Sequence, residues 1–321
     1  MNRKGGYSAV IFVQRLLVAI VGATVLVDVA WADFGRFDLD KQSYLALAAL
    51  TLSLVAGGAF YSRMRPDPRL SAMLFGCAFL VCFSASFSLL NYLLLTIAGH
   101  RIDTALAAVD RAIGFYWPAT MAAMADHPLL DSIFRICYLS VLPQVALLIV
   151  VLSGNSHEQR VYEACLAIAL AAIVTVVFWT IFPSFGAFAV YELPTSLARR
   201  LDLALDGRYA HELLGLIASG PGFISPRSAR GLVGFPSYHA ALAVIVAWHM
   251  RPVKVVFWPV AAVDAIVLVA TPIQGGHHLV DVIAGSGVAV LAIAAAKWAS
   301  SVASAAKIVA PLLVTGRTTE G

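Results

Sequence analysis

The chain has 321 residues, of which 60% are hydrophobic and only 12% charged, with a mean hydropathy of +0.85. Soluble domains carry about 25% charged residues, so the composition excludes the pair of soluble domains that length alone would suggest and points to a membrane bundle. The net charge of +4 does not indicate a nucleic-acid partner, because most Lys and Arg sit between apolar runs, where topology accounts for them.

A spanning helix needs roughly 20 mostly apolar residues. Eight stretches qualify or nearly do: 8–31, 43–61, 70–98, 128–152, 161–182, 236–250, 252–271 and 278–300. The expected fold class is all-α, a polytopic integral membrane bundle of about eight transmembrane helices. In the first stretch, Arg3, Lys4 and "AWA" at 30–32 loosely mimic a cleavable signal peptide. That stretch is long for such a segment and Arg15 interrupts it, so it reads as a retained helix. With the second it forms an N-terminal pair, residues 1–69. Residues 70–301 form the expected catalytic core with a long outer loop at 183–235, and residues 302–321 form a tail whose "TGRTTEG" is expected to be disordered.

Cys77, Cys82, Cys137 and Cys165 all fall inside apolar stretches without metal-ligand spacing, and read as small buried side chains. Asp28, Asn91 and Asp264 also lie within apolar runs and should face the bundle interior, Asp264 by bonding across it. Residues 100–126, with "AAVDRAIGFYWPAT", mix charge with apolar residues. Asp110 and Arg111 forbid deep lipid exposure and Trp117 suits an interface, so an interfacial or re-entrant helix is expected there, with Asp110 structural or part of a lid.

Short loops set the orientation. Arg3 and Lys4, then Arg63, Arg65 and Arg69, then Arg251 and Lys254, and finally Lys297 all fall on one side of eight crossings, which the positive-inside rule assigns to the cytoplasm. The loop 183–235 is then outside, although it holds Arg199, Arg200, Arg208, Arg227 and Arg230; long loops obey the rule weakly.

Two motifs carry chemistry: "GFPSYHAA" at 234–241 and "GGHHLVDVIAG" at 275–285. From His239 the chain descends through the sixth segment, turns at "MRPVK", climbs the seventh and emerges before His277. A helical hairpin returns to the face it left, so His239 and His277 share one depth, on the non-cytoplasmic face. His277 and Asp281 are four apart at a helix start and share one side of it. The aspartate can fix the imidazole tautomer, leaving the other nitrogen free to attack, while a second histidine protonates a leaving group. Ser237 reads as a helix N-cap. Arg227 and Arg230 suit phosphate oxygens, as do backbone amides near Gly275 and Gly276 at a helix start. Phosphoryl transfer suits such parts, and a site at the membrane interface implies a lipid phosphate.

"FPSYHAA" and "GGHHLVD" resemble the second and third signatures of the phosphatidic acid phosphatase type 2 superfamily, roughly P-S-x-H and H-x-x-x-D. The match is closer to its inositol phosphorylceramide synthase-like branch, with "VDRAIGFYWP" and "FWTIFPSFGAF" as upstream elements; the resemblance covers about 100–290. It implies a six-helix core, no metal or other cofactor, His277 as the nucleophile forming a phosphohistidine, Asp281 as its orienter and His239 as the acid-base. His278 lacks the three-residue spacing to Asp281 and points elsewhere, to a phosphate or the interface. The first signature, K-x6-R-P, is absent, and the Ser-Arg that normally opens the third reads Ala270-Thr271. Both losses remove phosphate-binding cations, for which Arg227, Arg230, Arg199 or Arg200 could substitute, with Gln274 adding a hydrogen bond. The function implied is transfer of a phosphate or phospho-headgroup from a phospholipid donor to a lipid alcohol, the alternative being a lipid phosphate phosphatase with water as acceptor.

Overall fold

The structure, a computed structural model, describes residues 3–205 and 207–315, the side chains at 3–8, 208, 210, 211, 214, 217, 218 and from 305 onward excepted. Thirteen helices follow in order: α1 (Arg3–Gly35), α2 (Lys41–Arg63), α3 (Pro68–Leu94), α4 (Asp103–Ala112), α5 (Trp117–Ala125), α6 (Pro128–Leu139), α7 (Val141–Gly154), α8 (Glu158–Ile181), α9 (Thr195–Ala198), α10 (Gly207–Ser219), α11 (Tyr238–Met250), α12 (Lys254–Gln274) and α13 (Leu279–Thr315). Apart from short 3-10 turns and a two-residue parallel pair, β1 (Asp38–Leu39) with β2 (Phe223–Ile224), the described residues are α-helix and loop, so the class is all-α. The tail reading falls on 316–321, outside the described residues; α13 runs past the expected end at 300.

Six helices are long and apolar enough to cross a membrane, and α6 with α7, bent by 49° at their junction, make a seventh. The sixth of the eight expected crossings, short already in the sequence, is the exception in length. α11 has 13 residues, about 20 Å at 1.5 Å per residue, well short of a hydrocarbon core of about 30 Å. Its limits are local: Ser237 caps the start, accepting a hydrogen bond from the Ala240 amide, and Pro252 disfavours helix at the residue before it.

α8 is the axis of the bundle, packed by α1, α3, α7, α11 and α13. Its run of fully buried alanines, Ala164, Ala167, Ala169 and Ala171, lets the neighbouring helices approach closely, which is how spanning helices associate without a hydrophobic driving force between them. α1 lies along α3, α8 and α13 and α2 along α3. Asp28, Asn91 and Asp264 are buried as expected. Asp28 accepts a short hydrogen bond from Ser86 Oγ, and Asp264 lies beside Gln144 of α7. All four cysteines are free thiols. Residues 100–126 form two short helices, α4 and α5, separated by Gly114 at φ +86°. They sit over the ends of α12 and α13.

The α1–α2 link anchors the long loop. Asp38 and Leu39 pair with Phe223 and Ile224, and the Asp40 carboxylate accepts from Ser43 N at 3.0 Å, Ser43 Oγ at 2.6 Å and Ser225 Oγ at 2.7 Å. The Ser43 hydroxyl, then Ser225, hold the Asp40 carboxyl below its ordinary value, helped by the Arg227 charge. A depressed carboxyl stabilises the fold above its unfolded pKa and loses that contribution as pH falls through the folded value. Asp40→Asn is therefore expected to melt below wild type at pH 7, with the gap closing below about pH 4. A gap that stays constant with pH would remove the carboxylate from this anchor.

Candidate active site

Three turns meet above α8: 183–187 after α8, 234–237 before α11, and 275–278 between α12 and α13. The first is organised by Asp103, 2% exposed, whose Oδ1 accepts from Ser184 Oγ at 3.0 Å, Phe185 N at 2.7 Å and Gly186 N at 3.1 Å. Its Oδ2 pairs with Arg101 Nε at 2.9 Å. The ordered turn then serves both partners: Ser184 O accepts from Gly234 N at 2.9 Å, and Ala187 N donates to Gly276 O at 2.6 Å. Gly186 and Gly276 have φ of +80° and +62°. A Cβ at Gly186 would sit 2.2 Å from Gly276 O, and one at Gly276 would sit 2.4 Å from the Phe188 ring, so this contact requires glycine on both sides. "FWTIFPSFGAF" is thus a bracket between the two histidine-bearing turns.

Two carboxylates cap the start of α13. Asp110 of α4 accepts from Leu279 N at 2.9 Å and Val280 N at 3.0 Å. Asp281 Oδ2 accepts from His278 N at 2.9 Å and lies 3.2 Å from His277 Nδ1. The carboxylate accepts only, so the bond places the imidazole proton on Nδ1 and leaves Nε2 with a free lone pair. That Nε2 lies 3.4 Å from Ser237 Oγ. Ser237 is the N-cap expected from sequence, and its own amide donates to Asp281 O at 3.0 Å. α11 and α13 approach so closely here that a Cβ on Gly285 would fall 2.1 Å from Ser237 O. The turns before α11 and α13 thus lie at one depth and touch directly.

His239 stacks face to face on Tyr138 of α6, ring centroids 4.5 Å apart and planes 10° from parallel. The Tyr138 hydroxyl lies against Gly275, where an added Cβ would meet it at 2.6 Å. His278 is fully buried, with Nδ1 3.4 Å from Asp110 Oδ2. Its ring is packed against Asp110 inside the fold rather than set at the interface, which corrects that part of the sequence expectation. Asp110 acts as a cap of α13 and lies beside the His278 ring.

Several expected phosphate ligands lie elsewhere. Arg227 and Arg230 are exposed. Arg230 reaches Glu212 at 3.8 Å, and its backbone amide donates to Tyr92 Oη at 2.9 Å. The Arg227 amide donates to Ser225 Oγ at 3.2 Å. Among the described residues, neither arginine contacts His239 or His277. Gln274 is fully buried, with Nε2 donating to Asp131 Oδ1 at 2.6 Å and Oε1 accepting from Ala204 N at 2.9 Å. Its carboxamide ties α12 to α6 and to the outer loop. The anion site expected at Gly275 and Gly276 is also restricted: Gly275 N donates to Thr271 O, and the amides of 278–280 already bond to Asp281 and Asp110. Arg200, paired with Asp126 and Ala125 O, shows what some loop arginines do, which is to tie the loop onto α5.

Sequence reasoning missed Tyr138, Asp103 and the spacer role of Gly285; of these only Asp103, an acid in the first turn of a helix, carried a local signal. Among the described residues no three His, Cys, Asp or Glu side chains gather to hold a metal ion. The site offers an oriented imidazole with an open nitrogen, a second imidazole from the neighbouring turn stacked on Tyr138, and a rigid backbone bracket.

Neither a curated protein nor a solved structure matches the chain. A family model described as the PAP2 superfamily matches residues 104–295, more than half of the chain, and takes in Asp110, the 183–187 bracket, Ser237, His239, His277 and Asp281. That family's enzymes are metal-independent phosphatases and phosphotransferases. With at least six helices fit to cross a bilayer and this match, the chain belongs to the PAP2 superfamily as an integral membrane phosphatase or phosphotransferase.

Proposed function

We propose that the protein is a lipid phosphotransferase of the inositol phosphorylceramide synthase-like branch, moving a phosphate or phospho-headgroup from a phospholipid to a lipid alcohol. His277 Nε2 attacks phosphorus and the bond from phosphorus to the departing lipid oxygen breaks. His239, as an imidazolium, gives its proton to that oxygen. The acceptor hydroxyl then gives its proton to His239 and attacks phosphorus, breaking the phosphorus–nitrogen bond and restoring His277. Asp281 stabilises the positive charge that develops on the His277 ring, in the role of a base-orienting carboxylate. The observation that carries this reading is the 3.2 Å contact from Nδ1 to Asp281, which leaves Nε2 as the nucleophilic atom. The Ser237 hydroxyl near Nε2 is placed to pass to a phosphate oxygen when substrate enters. Phosphate-binding roles for Arg227 and Arg230 require the outer loop to move inward on substrate binding.

The site is proposed to face the non-cytoplasmic side. In support, Arg63, Arg65, Arg69, Arg251, Lys254 and Lys297 all lie at helix ends or depths remote from the histidine turns, in keeping with the positive-inside rule.

The deciding experiment supplies purified protein with phospholipid, with and without diacylglycerol or ceramide, and quantifies new phospholipid and free phosphate by mass spectrometry. A new headgroup-bearing lipid that requires the acceptor is the expected result. Free phosphate alone would make water the acceptor and the protein a lipid phosphate phosphatase.

A further inference from the structure

Four cations gather at the end of the bundle remote from the histidines. Arg251 closes α11 and lays its guanidinium over the Trp248 ring, 3.2 Å from the centroid. Lys297 of α13 places Nζ 5.3 Å from the same ring, and Lys254, opening α12, places Nζ 5.3 Å from the Phe257 ring. Arg160, near the start of α8, is close enough to Arg251 for the two charges to repel. Among the described residues none of the four forms an ion pair, and the neighbouring acid Glu163 accepts instead from Gln159 at 2.8 Å. Within reach of three of these cations lies His249, 1% exposed, whose Nδ1 bonds to Ile245 O while Nε2 has no partner.

A positive-inside bias accounts for basic residues on one face. It does not account for four that converge from four helices without an ion pair, two of them on one tryptophan. Beside them runs a groove of about 330 Å³ between α11 and α12, floored by small residues such as Ala247 and Ala261 and walled by Trp248, Phe257 and Arg251. Its one acidic wall residue, Asp264, lies ten residues along α12 from Lys254, about 15 Å deeper. Lys297 is 18 residues beyond the start of α13, about 27 Å from the His277 turn. That separation is close to the thickness of a hydrocarbon core, so the cluster meets the opposite leaflet.

We propose that the foot of α11 and α12 binds an anionic phospholipid of the leaflet opposite the histidines. Arg160, Arg251, Lys254 and Lys297 hold the phosphate, and an acyl chain lies in the alanine-floored groove. Basic pockets between spanning helices recognise anionic headgroups by this combination of charge and apolar contact. The lipid phosphate relieves the repulsion between Arg160 and Arg251. Because α11 carries Arg251 at one end and His239 near the other, it also fixes the foot of the helix that presents His239. The proposal does not depend on the identity of the transferred group or the acceptor.

The test uses full-length protein in vesicles containing equal phosphatidylglycerol and phosphatidylcholine, followed by gentle extraction and native mass spectrometry of retained lipid. Phosphatidylglycerol should be retained preferentially. The preference should fall about fivefold for each cation removed, hence about 25-fold in Arg251→Gln with Lys297→Gln. Arg63→Gln with Arg65→Gln, on the same face but away from the groove, should change it by less than about twofold. Equal retention of the two lipids by wild type would overturn the proposal. So would an equal loss in the control pair, which would indicate diffuse surface attraction. Displacement of the lipid by inorganic phosphate at equal concentration would show an ion site and also overturn it. Should the double variant fail to fold, the wild-type preference and the phosphate competition still decide.

Discussion

Asp281→Asn should lower kcat by about 10⁴ while leaving the protein folded. The substitution keeps shape, and the atom it changes, Oδ2, meets both the His278 amide at 2.9 Å and His277 Nδ1 at 3.2 Å. It removes the charge facing Nδ1; an amide nitrogen in the Oδ2 position donates to that ring nitrogen and gives up the bond from the His278 amide. The proton then moves to Nε2, the atom that must attack. Wrong-tautomer substitutions of this kind cost about 10⁴ in the serine proteases. His277→Ala removes the nucleophile and should cost at least as much. The double variant should be scarcely worse than His277→Ala, since residues acting as one unit do not add. Single-turnover kinetics with trapping of phosphohistidine measures each step. Asp281→Asn activity within tenfold of wild type, with normal phosphohistidine, would remove Asp281 from its orienting role.

Gly285→Ala should cost about 10² in kcat through misplacement alone. The added Cβ would lie 2.1 Å from Ser237 O and 2.9 Å from its carbonyl carbon. These are backbone atoms in a capped turn and cannot swing aside, so α11 and α13 must separate by about 1 Å, a displacement that commonly costs a hundredfold. The stability cost of such overpacking is about 1–3 kcal/mol. Gly287, two residues on, has nothing within 4 Å of its added Cβ, and Gly287→Ala should be neutral or slightly stabilising. Steady-state kinetics beside thermal melts separates the two effects. Equal kinetics in the two variants would mean that the 237–285 contact does not set the geometry of the histidines.

The course of the chain through the bilayer was legible because hydrocarbon leaves a backbone few solutions. An apolar run of spanning length must be helix, and both its limits and its interior acids can be read in order. α11 was the least legible case. It has the composition of a crossing but only 13 residues, and a hydropathy window does not register that the turn before it is pulled into the bundle by the bracket at 183–187. The resting positions of the outer-loop arginines were not legible for a different reason. Charge type suggests phosphate, but a long flexible side chain can satisfy itself on any nearby acid, as Arg200 does on Asp126 and Arg230 on Glu212.

Sequence alone determined what helix periodicity and hairpin return determine. His277 and Asp281 are four apart at a helix start, and two helices joined by a short turn bring Ser237 and His239 back to the same face. These relations are local or follow from counting passes through a slab, so they hold before any packing is known. The tertiary structure decided which groups cap and brace that pair. Asp110 reaches the α13 amides across 169 and 170 positions of chain, Tyr138 meets His239 face to face, and Gly276 meets Ala187 through a 2.6 Å hydrogen bond. Such contacts depend on how helix ends dock in three dimensions, which no spacing along the chain encodes.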